Sequence, residues 1–261
     1  MPTAVTHQAI PTTVTEANLA EVNRLLEQCE PQEILRWARA AFGNGLYQET
    51  AFGPSGNVIT DMAGAEGLNI PVIFVDTLHH FRETLDLAAR SQQRYGYTLH
   101  VYRPEGCSTE AEFAAKHGPE LWKRDEVSYD YLVKVEPIRR AYRDLGVTAV
   151  ITGRRRSQKG DRASIPILEI EPGTGLRKLN PLALWSFSRI WAYLRANEIP
   201  YNPLLDQGYK SIGDYHSTLP TPPDGDERSG RWSGSAKSEC GLHKDYFAMR
   251  AAFLARKKAV A

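Results

Sequence analysis

Leu46-Tyr47-Gln48-Glu49-Thr50-Ala51-Phe52-Gly53-Pro54-Ser55-Gly56 is the stretch from which the fold is read. Its first part, Leu46–Phe52, is a β-type run. Small turn residues follow, and Asn57–Ala65 then has helical patterning. A strand that turns tightly into a helix is half of a parallel crossover unit. The same change of period recurs outward from it. Further β-type runs fall at Pro71–Asp76, Leu99–Arg103, Ala149–Thr152 and Ile165–Ile170, and helical stretches at Arg82–Tyr95, Ala111–Trp122, Tyr131–Leu145 and Phe187–Asn197. This alternation predicts an α/β fold: a mostly parallel, doubly wound sheet with helices on both faces. Ligands of such sheets bind beyond the carboxyl ends of the strands. Three distinctive segments fall at such ends, namely Gly53–Gly56, Asp76–His80 and Gly153–Ser157.

Two helices precede the first strand. Leu19, Val22, Leu25 and Leu26 are spaced for one face, and a second helix starts after Pro31 with Ile34, Leu35, Ala38 and Phe42 as its stripe. Residues 1–15, rich in Thr, Pro and Ala, are expected to be disordered, and 16–217 to form one α/β domain. The remainder, 218–261, reads as a mobile C-terminal segment, because Pro-, Gly- and Ser-rich sequence from Thr218 to Ser238 buries little surface. A short basic helix closes it, with Phe247, Ala251 and Leu254 at helical spacing.

Among 261 residues the formal net charge is +1, which argues against a nucleic-acid or membrane-surface binder, so an anion site must come from local clustering. Three widely spaced cysteines, Cys29, Cys107 and Cys240, make no disulfide framework and point to a reducing compartment. They are also too few for a four-thiolate metal or iron–sulfur site. No apolar run approaches the roughly 18 residues of a membrane span. The first 23 residues hold no Lys or Arg, so neither a secretory nor a transit signal is read there and the expected location is the cytoplasm.

Four segments bear on chemistry. The Ala51–Gly56 turn lets backbone N–H groups at a helix start face an anion, although such a turn by itself is more often a plain tight connection. It is neither a P-loop nor a dinucleotide fingerprint. Arg154, Arg155, Arg156, Lys159 and Arg162 put five cations within nine residues after a strand. Guanidinium forks suit phosphate or sulfate oxygens, and a solvated basic loop is the competing explanation. Asp76-Thr77-Leu78-His79-His80-Phe81 suits a nucleotide-contacting loop better than a metal site, since adjacent histidines rarely point at one ion. Cys240 sits in Lys237-Ser238-Glu239-Cys240-Gly241-Leu242-His243, behind a Gly/Ser-rich loop with Lys237, Arg231 and His243 nearby. Cations favour a thiolate, so Cys240 is the nucleophile candidate of the three cysteines.

Taken together, these segments resemble the phosphoadenylyl-sulfate (PAPS) reductases of fungal and enterobacterial type, within the adenine nucleotide α-hydrolase-like superfamily. The likeness spans roughly residues 30–245. It rests on Thr50-Ala51-Phe52-Gly53, Asp76–Phe81, Lys134-Val135-Glu136-Pro137, Gly153-Arg154-Arg155, Gly208–Ser217 and above all Glu239-Cys240-Gly241-Leu242-His243. Adenylyl-sulfate (APS) reductases of the same family carry a four-iron cluster. Its cysteine positions fall here at Tyr129, Asp130, Asp214 and Ser217, so no cluster is expected. The ATP-splitting members carry S-G-G-x-D-S where this chain has Ala51–Gly56.

The resemblance implies a thioredoxin-dependent oxidoreductase of sulfate assimilation that makes sulfite through Cys240, with no bound cofactor and no metal. It implies a substrate site built from Phe52, Gly53, Ser55, Gly56, Asp76, Thr77, Lys134, Arg154, Arg155, Arg162, Arg228 and Arg231. Glu239 and His243 would assist, and His243 is equally well read as a plain structural hydrogen bonder. Thioredoxin or glutaredoxin would be the reductant, and the assembly a homodimer. An APS reductase without a cluster, an ATP-using adenylyltransferase or sulfurtransferase and a non-catalytic nucleotide-binding module are the rival readings.

Overall fold

The computed structural model of the protein describes residues 9–222, 224–232, 239–241 and 245–260, with side chains to residue 257. Helices α1 (Leu19–Leu26) and α2 (Pro31–Phe42) lead into β1 (Leu46–Glu49) and α3 (Pro54–Ala65). Next come β2 (Val72–Val75), α4 (Arg82–Tyr95) and β3 (Leu99–Tyr102). Four helices follow, α5 (Glu110–His117), α6 (Leu121–Arg124), α7 (Glu126–Asp130) and α8 (Glu136–Asp144), with a π-helical turn over Tyr131–Val135 between the last two. Strands β4 (Ala149–Ile151), β5 (Leu168–Ile170) and β6 (Arg177–Leu179) complete the sheet, and α9 (Phe187–Ala196) and α10 (Tyr246–Val260) end the chain.

The sheet order is β3-β2-β1-β4-β6-β5, parallel throughout except for β5, which runs antiparallel to β6 at the edge. Period-two alternation decides which helix covers which face. Leu46, Ala149 and Ile151 pack with α2, α3 and α9, and Val72 and Phe74 with Leu87 and Ala88 of α4. On the opposite face Tyr47, Ile73 and Val75 meet Ile138 and Ala141 of α8. The predicted α/β architecture with helices on both faces is the one observed. Strand order reverses between β1 and β4, which places the ligand crevice at their carboxyl ends.

Local differences from the expected elements have physical causes. The helix expected over Ala111–Trp122 breaks because Gly118 takes φ +82° and Pro119 has no N–H. Pro166 likewise delays the fifth strand to Leu168. The helix expected from Tyr131 begins five residues earlier and widens into the π turn. Pro137 cannot donate to the Val133 carbonyl, which favours that widening. Strand β6 carries no alternating signal of its own and exists through its pairing with β4 and β5.

The expectation of disorder through residue 15 does not hold for residues 9–15. Val14 lies in the main core, and the Pro11 and Val14 carbonyls accept from Trp37 Nε1 and Arg177 Nη2, both at 3.1 Å. After residue 217 the chain folds back on the body. Thr218 and Arg231 form an antiparallel bridge, and Leu219 N donates to Gly230 O at 2.8 Å. Gly230 is required there, since a Cβ would stand 2.2 Å from the Leu219 carbonyl oxygen.

Candidate functional site

A cleft of about 200 Å³ opens at the carboxyl ends of β1 and β4. Its floor is the turn into α3. Phe52 takes φ +57°, uncommon for a bulky residue, with its N–H held by Thr50 Oγ1 at 2.9 Å. Its side chain turns away into the core against Phe74, while Gly53, Ser55 and Gly56 line the cleft at the start of α3, where helix N–H groups lack intrahelical partners. Gly153 at the end of β4 packs directly on that turn. A Cβ there would lie 2.9 Å from Ser55 Cβ and 3.1 Å from Gly56 N, so only glycine permits the approach.

Lys134 forms one wall. It projects from the π turn and is buried between Asp130 (2.9 Å) and Asp214 (2.7 Å), with its ammonium 5.0 Å from the Tyr129 ring centroid. Burial opposes its charge, but Asp130, Asp214 and Cys240 outweigh that, and Lys134 titrates above the usual lysine range. Burial would likewise raise Asp214. Lys134, His80 and the hydrogen bond from Thr77 Oγ1 (2.6 Å) overcome it and hold the carboxyl far below the usual range. Tyr129 Oη also donates to Asp214 Oδ2 at 3.2 Å, and His216 Nε2 lies 2.9 Å from that hydroxyl.

The roof comes from the C-terminal segment. Arg231 lies across Gly213, where a Cβ would come within 2.1 Å of Nη2, and over the Trp232 ring at 4.5 Å. Burial pulls its guanidinium below the ordinary arginine range against the opposing pull of Cys240 and Asp214. Its Nε is buried with no hydrogen-bond acceptor among the described residues. Burial and Arg162 act on Arg228 in the same direction. Cys240 lines the cleft beside these groups, and the next residue abuts Asp130, 3.2 Å from a Cβ placed on Gly241.

Of the residues expected at the site, Gly53, Ser55, Gly56, Thr77, Lys134, Arg154, Arg162, Arg228, Arg231 and Cys240 line the cleft. Four do not. Phe52 is core. Asp76 faces away, accepting from Arg103 Nε (2.8 Å) and Leu78 N (3.0 Å). Arg155 is wholly buried, its Nε donating to Ser55 Oγ at 2.8 Å and Nη2 to Glu227 Oε1 at 2.5 Å, so it braces the floor. Glu239 sits behind the cleft between Arg162 and Arg228. His243 lies outside the described residues. Asp214, Gln158, His80 and Lys210 also line the cleft; they fall within quoted segments, but the sequence reading did not place them in the substrate site. Asp214 stands within a quoted motif, so an acidic residue amid Gly208–Ser217 was a usable signal.

Of the four positions to which the resemblance assigns cluster cysteines, Tyr129, Asp130 and Asp214 gather around Lys134. Asp130 and Asp214 flank Lys134, Tyr129 bonds Asp214, and Ser217 N donates to the Asp214 carbonyl at 3.1 Å. Carboxylates, a phenol and a buried ammonium do not fit an iron–sulfur cluster, which needs thiolates. Among the described residues, no group of His, Cys, Asp and Glu is arranged to hold a metal ion.

Residues 45–220 match the model of the phosphoadenosine phosphosulfate reductase domain. The chain belongs to that family. Its relatives include the phosphoadenosine phosphosulfate reductase of Emericella nidulans, 52% identical over 88% of this chain and 76% of that one. The corresponding reductase of Saccharomyces cerevisiae is 48% identical over 88% of this chain and 91% of its own. Among solved structures, the PAPS reductase of Candida auris in complex with phosphate superposes with a TM-score of 0.74 at 48% identity, covering 79% of this chain and 98% of that one. As a member of this reductase family, the chain is an oxidoreductase with the family's fold. Among the described residues no helix is long and apolar enough to cross a membrane.

Proposed function

We propose that this chain reduces 3′-phosphoadenylyl sulfate to sulfite and adenosine 3′,5′-bisphosphate through an S-sulfonate on Cys240. The observation that carries this reading is that Cys240 lines the same cleft as Lys134, Arg228 and Arg231. The nucleotide lies over the Gly53–Gly56 turn, with its phosphosulfate near Lys134 and the buried Arg231 Nε, which has no acceptor among the described residues. The Cys240 thiolate attacks the sulfonyl sulfur, and the bond from that sulfur to the bridging phosphate oxygen breaks. Lys134 and the arginines stabilise charge arriving on the phosphate, an effect strengthened where water is excluded. An external dithiol then attacks Cys240 Sγ and releases sulfite. Its second thiol resolves the mixed disulfide, so both electrons come from that dithiol.

Thioredoxin or glutaredoxin fits the dithiol role, because the chain holds one cysteine at the cleft and no second thiol beside it among the described residues. Three free cysteines fit a cytoplasmic, reducing compartment. Our reading further takes the active form as a homodimer and the segment after residue 217 as mobile in the cycle. With that segment docked, the roughly 200 Å³ of open space is less than the approximately 300–1,000 Å³ usual for ligand pockets, which supports its withdrawal when nucleotide enters.

The test is intact-protein mass after mixing the reduced chain with PAPS, with APS, or with ATP and magnesium, all without a reductant. A single sulfonate on Cys240, formed preferentially from PAPS and absent in Cys240→Ser, is expected. No adduct from either sulfonucleotide removes the mechanism, and preference for APS changes the substrate.

A further inference from the structure

The basic loop after β4 is engaged chiefly by acidic side chains of the chain's own C-terminal segment. Lys159 pairs with Asp226 at 2.5 Å. Arg155 Nη2 (2.5 Å) and Gln158 Nε2 (3.0 Å) both donate to Glu227 Oε1. Arg162 closes a two-pronged fork on Glu239, Nε to Oε2 at 2.6 Å and Nη2 to Oε1 at 2.7 Å, while its Nη1 donates to Gln158 Oε1 at 2.6 Å. Arg228 Nη2 adds a third contact to Glu239 Oε1 at 3.1 Å. Both Arg162 and Glu239 are buried, so this pair is shielded from competing water. With the segment docked, both nitrogens on the forked edge of Arg162 point at a carboxylate of the protein itself.

The same carboxylate touches the nucleophile's backbone. Glu239 Oε1 accepts the Cys240 N–H at 2.7 Å, which fixes the orientation of the peptide carrying the thiol. On the other side Gly241 is seated against Asp130, the partner of Lys134. Cys240 is therefore held between two anchors, one on the loop after β4 and one on the Lys134 wall. We infer that Glu239 is the positioning residue of Cys240, and that Arg162 and Arg228 act in the closed state as its receptor. This rests on the reading of Cys240 as nucleophile. A bidentate carboxylate–guanidinium pair is both directional and strong, so it can set the position of the residue that follows Glu239.

Glu239→Gln separates the possibilities, because glutamine keeps the size and one acceptor oxygen but drops the charge that binds two arginines. The first readout needs no chemistry. In nucleotide-free protein, trypsin cleavage after Arg228 and Arg231 should quicken at least tenfold, and the Cys240 amide should exchange hydrogen faster. The second readout is single-turnover sulfonation with PAPS. Its rate at saturation should fall at least tenfold, with affinity for adenosine 3′,5′-bisphosphate kept within twofold or tightened. Wild-type cleavage rates would overturn the inference. So would a tenfold loss of nucleotide affinity with an unchanged saturated rate, which would assign the arginines to the nucleotide alone. If Glu239→Gln does not fold, Arg162→Gln removes the other half of the pair and must release the segment in the same way. A wild-type chain that forms no adduct counts against the proposed function, leaving the cleavage and exchange readouts to judge the positioning role.

Discussion

Lys134 keeps its charge where burial alone would remove it, because two carboxylates face it at hydrogen-bonding distance. That arrangement stands or falls as a unit. Lys134→Met would leave Asp130 and Asp214 buried without their cation, and breaking a buried pair of this kind costs about 3–5 kcal/mol. Urea unfolding should register that loss, and adding Asp130→Asn and Asp214→Asn to the same chain should recover most of it. A Lys134→Met protein of wild-type stability would show that water already solvates the two carboxylates. The role of Asp214 is therefore electrostatic support of the lysine, with Thr77 and Tyr129 holding its two oxygens in place.

Among the elements, α3 and the segment after β4 matter most, since the cleft floor is their contact. Gln48 of β1 reinforces it by donating to the Gly56 carbonyl at 2.8 Å and accepting from Thr60 Oγ1 at 3.1 Å. Gly153→Ala would drive a methyl group into Ser55 and the Gly56 amide. Overpacking at such a contact costs roughly 1–3 kcal/mol. It would also shift the turn residues that line the cleft. Lower melting temperature together with weaker calorimetric binding of adenosine 3′,5′-bisphosphate is the expected result, and unchanged values for both would contradict the close approach. Helix α10 follows the roof and is moored to the body by Tyr131–Phe253 stacking at 4.3 Å and by Arg256–Asp125 at 2.9 Å. In the docked state the C-terminal segment thus contacts the basic loop through Asp226, Glu227 and Glu239 and the π-turn region through α10.

At the scale of the whole molecule, Glu171 joins the edge of the sheet to the helix layer. It accepts from Arg139 of α8 through both oxygens, from Lys178 of β6 at 2.6 Å and from Thr174 at 2.6 Å. Burial would raise this carboxyl, yet Arg139, Lys178 and Thr174 bring it down to about 2. A folded-state value below the unfolded one means the stabilisation is fully present above roughly pH 4.5 and is lost as pH falls toward 2. Allowing for solvent screening, the linkage is on the order of 2 kcal/mol. Glu171→Gln should therefore melt well below wild type at pH 7, with the gap narrowing steadily between pH 4.5 and 2. A gap independent of pH would place the contribution in packing instead of charge.

Much of this was legible in the residues themselves. Arg82–Tyr95 was read to the residue, because its apolar stripe is periodic and Gly96 ends it. Strand–helix alternation is a local property, so the sheet class and the location of the site at strand ends followed from it, and the Glu239–His243 motif marked the chemistry through the family resemblance. Strand β6 was not legible, because Arg177-Lys178-Leu179 becomes a strand only between its neighbours. Nor could the one-dimensional order separate Arg154, which lines the cleft, from Arg155, which is buried beneath it. Phe52 and Asp76 occupy quoted motifs yet face the core and Arg103, since adjacent side chains at a turn leave in different directions. Periodicity, turn residues and charge, all local, settle which chemical groups are available and where most of the helices and strands lie. Which charges meet is a matter of packing, because pairs such as Lys134 with Asp214 or Arg162 with Glu239 lie about 80 residues apart.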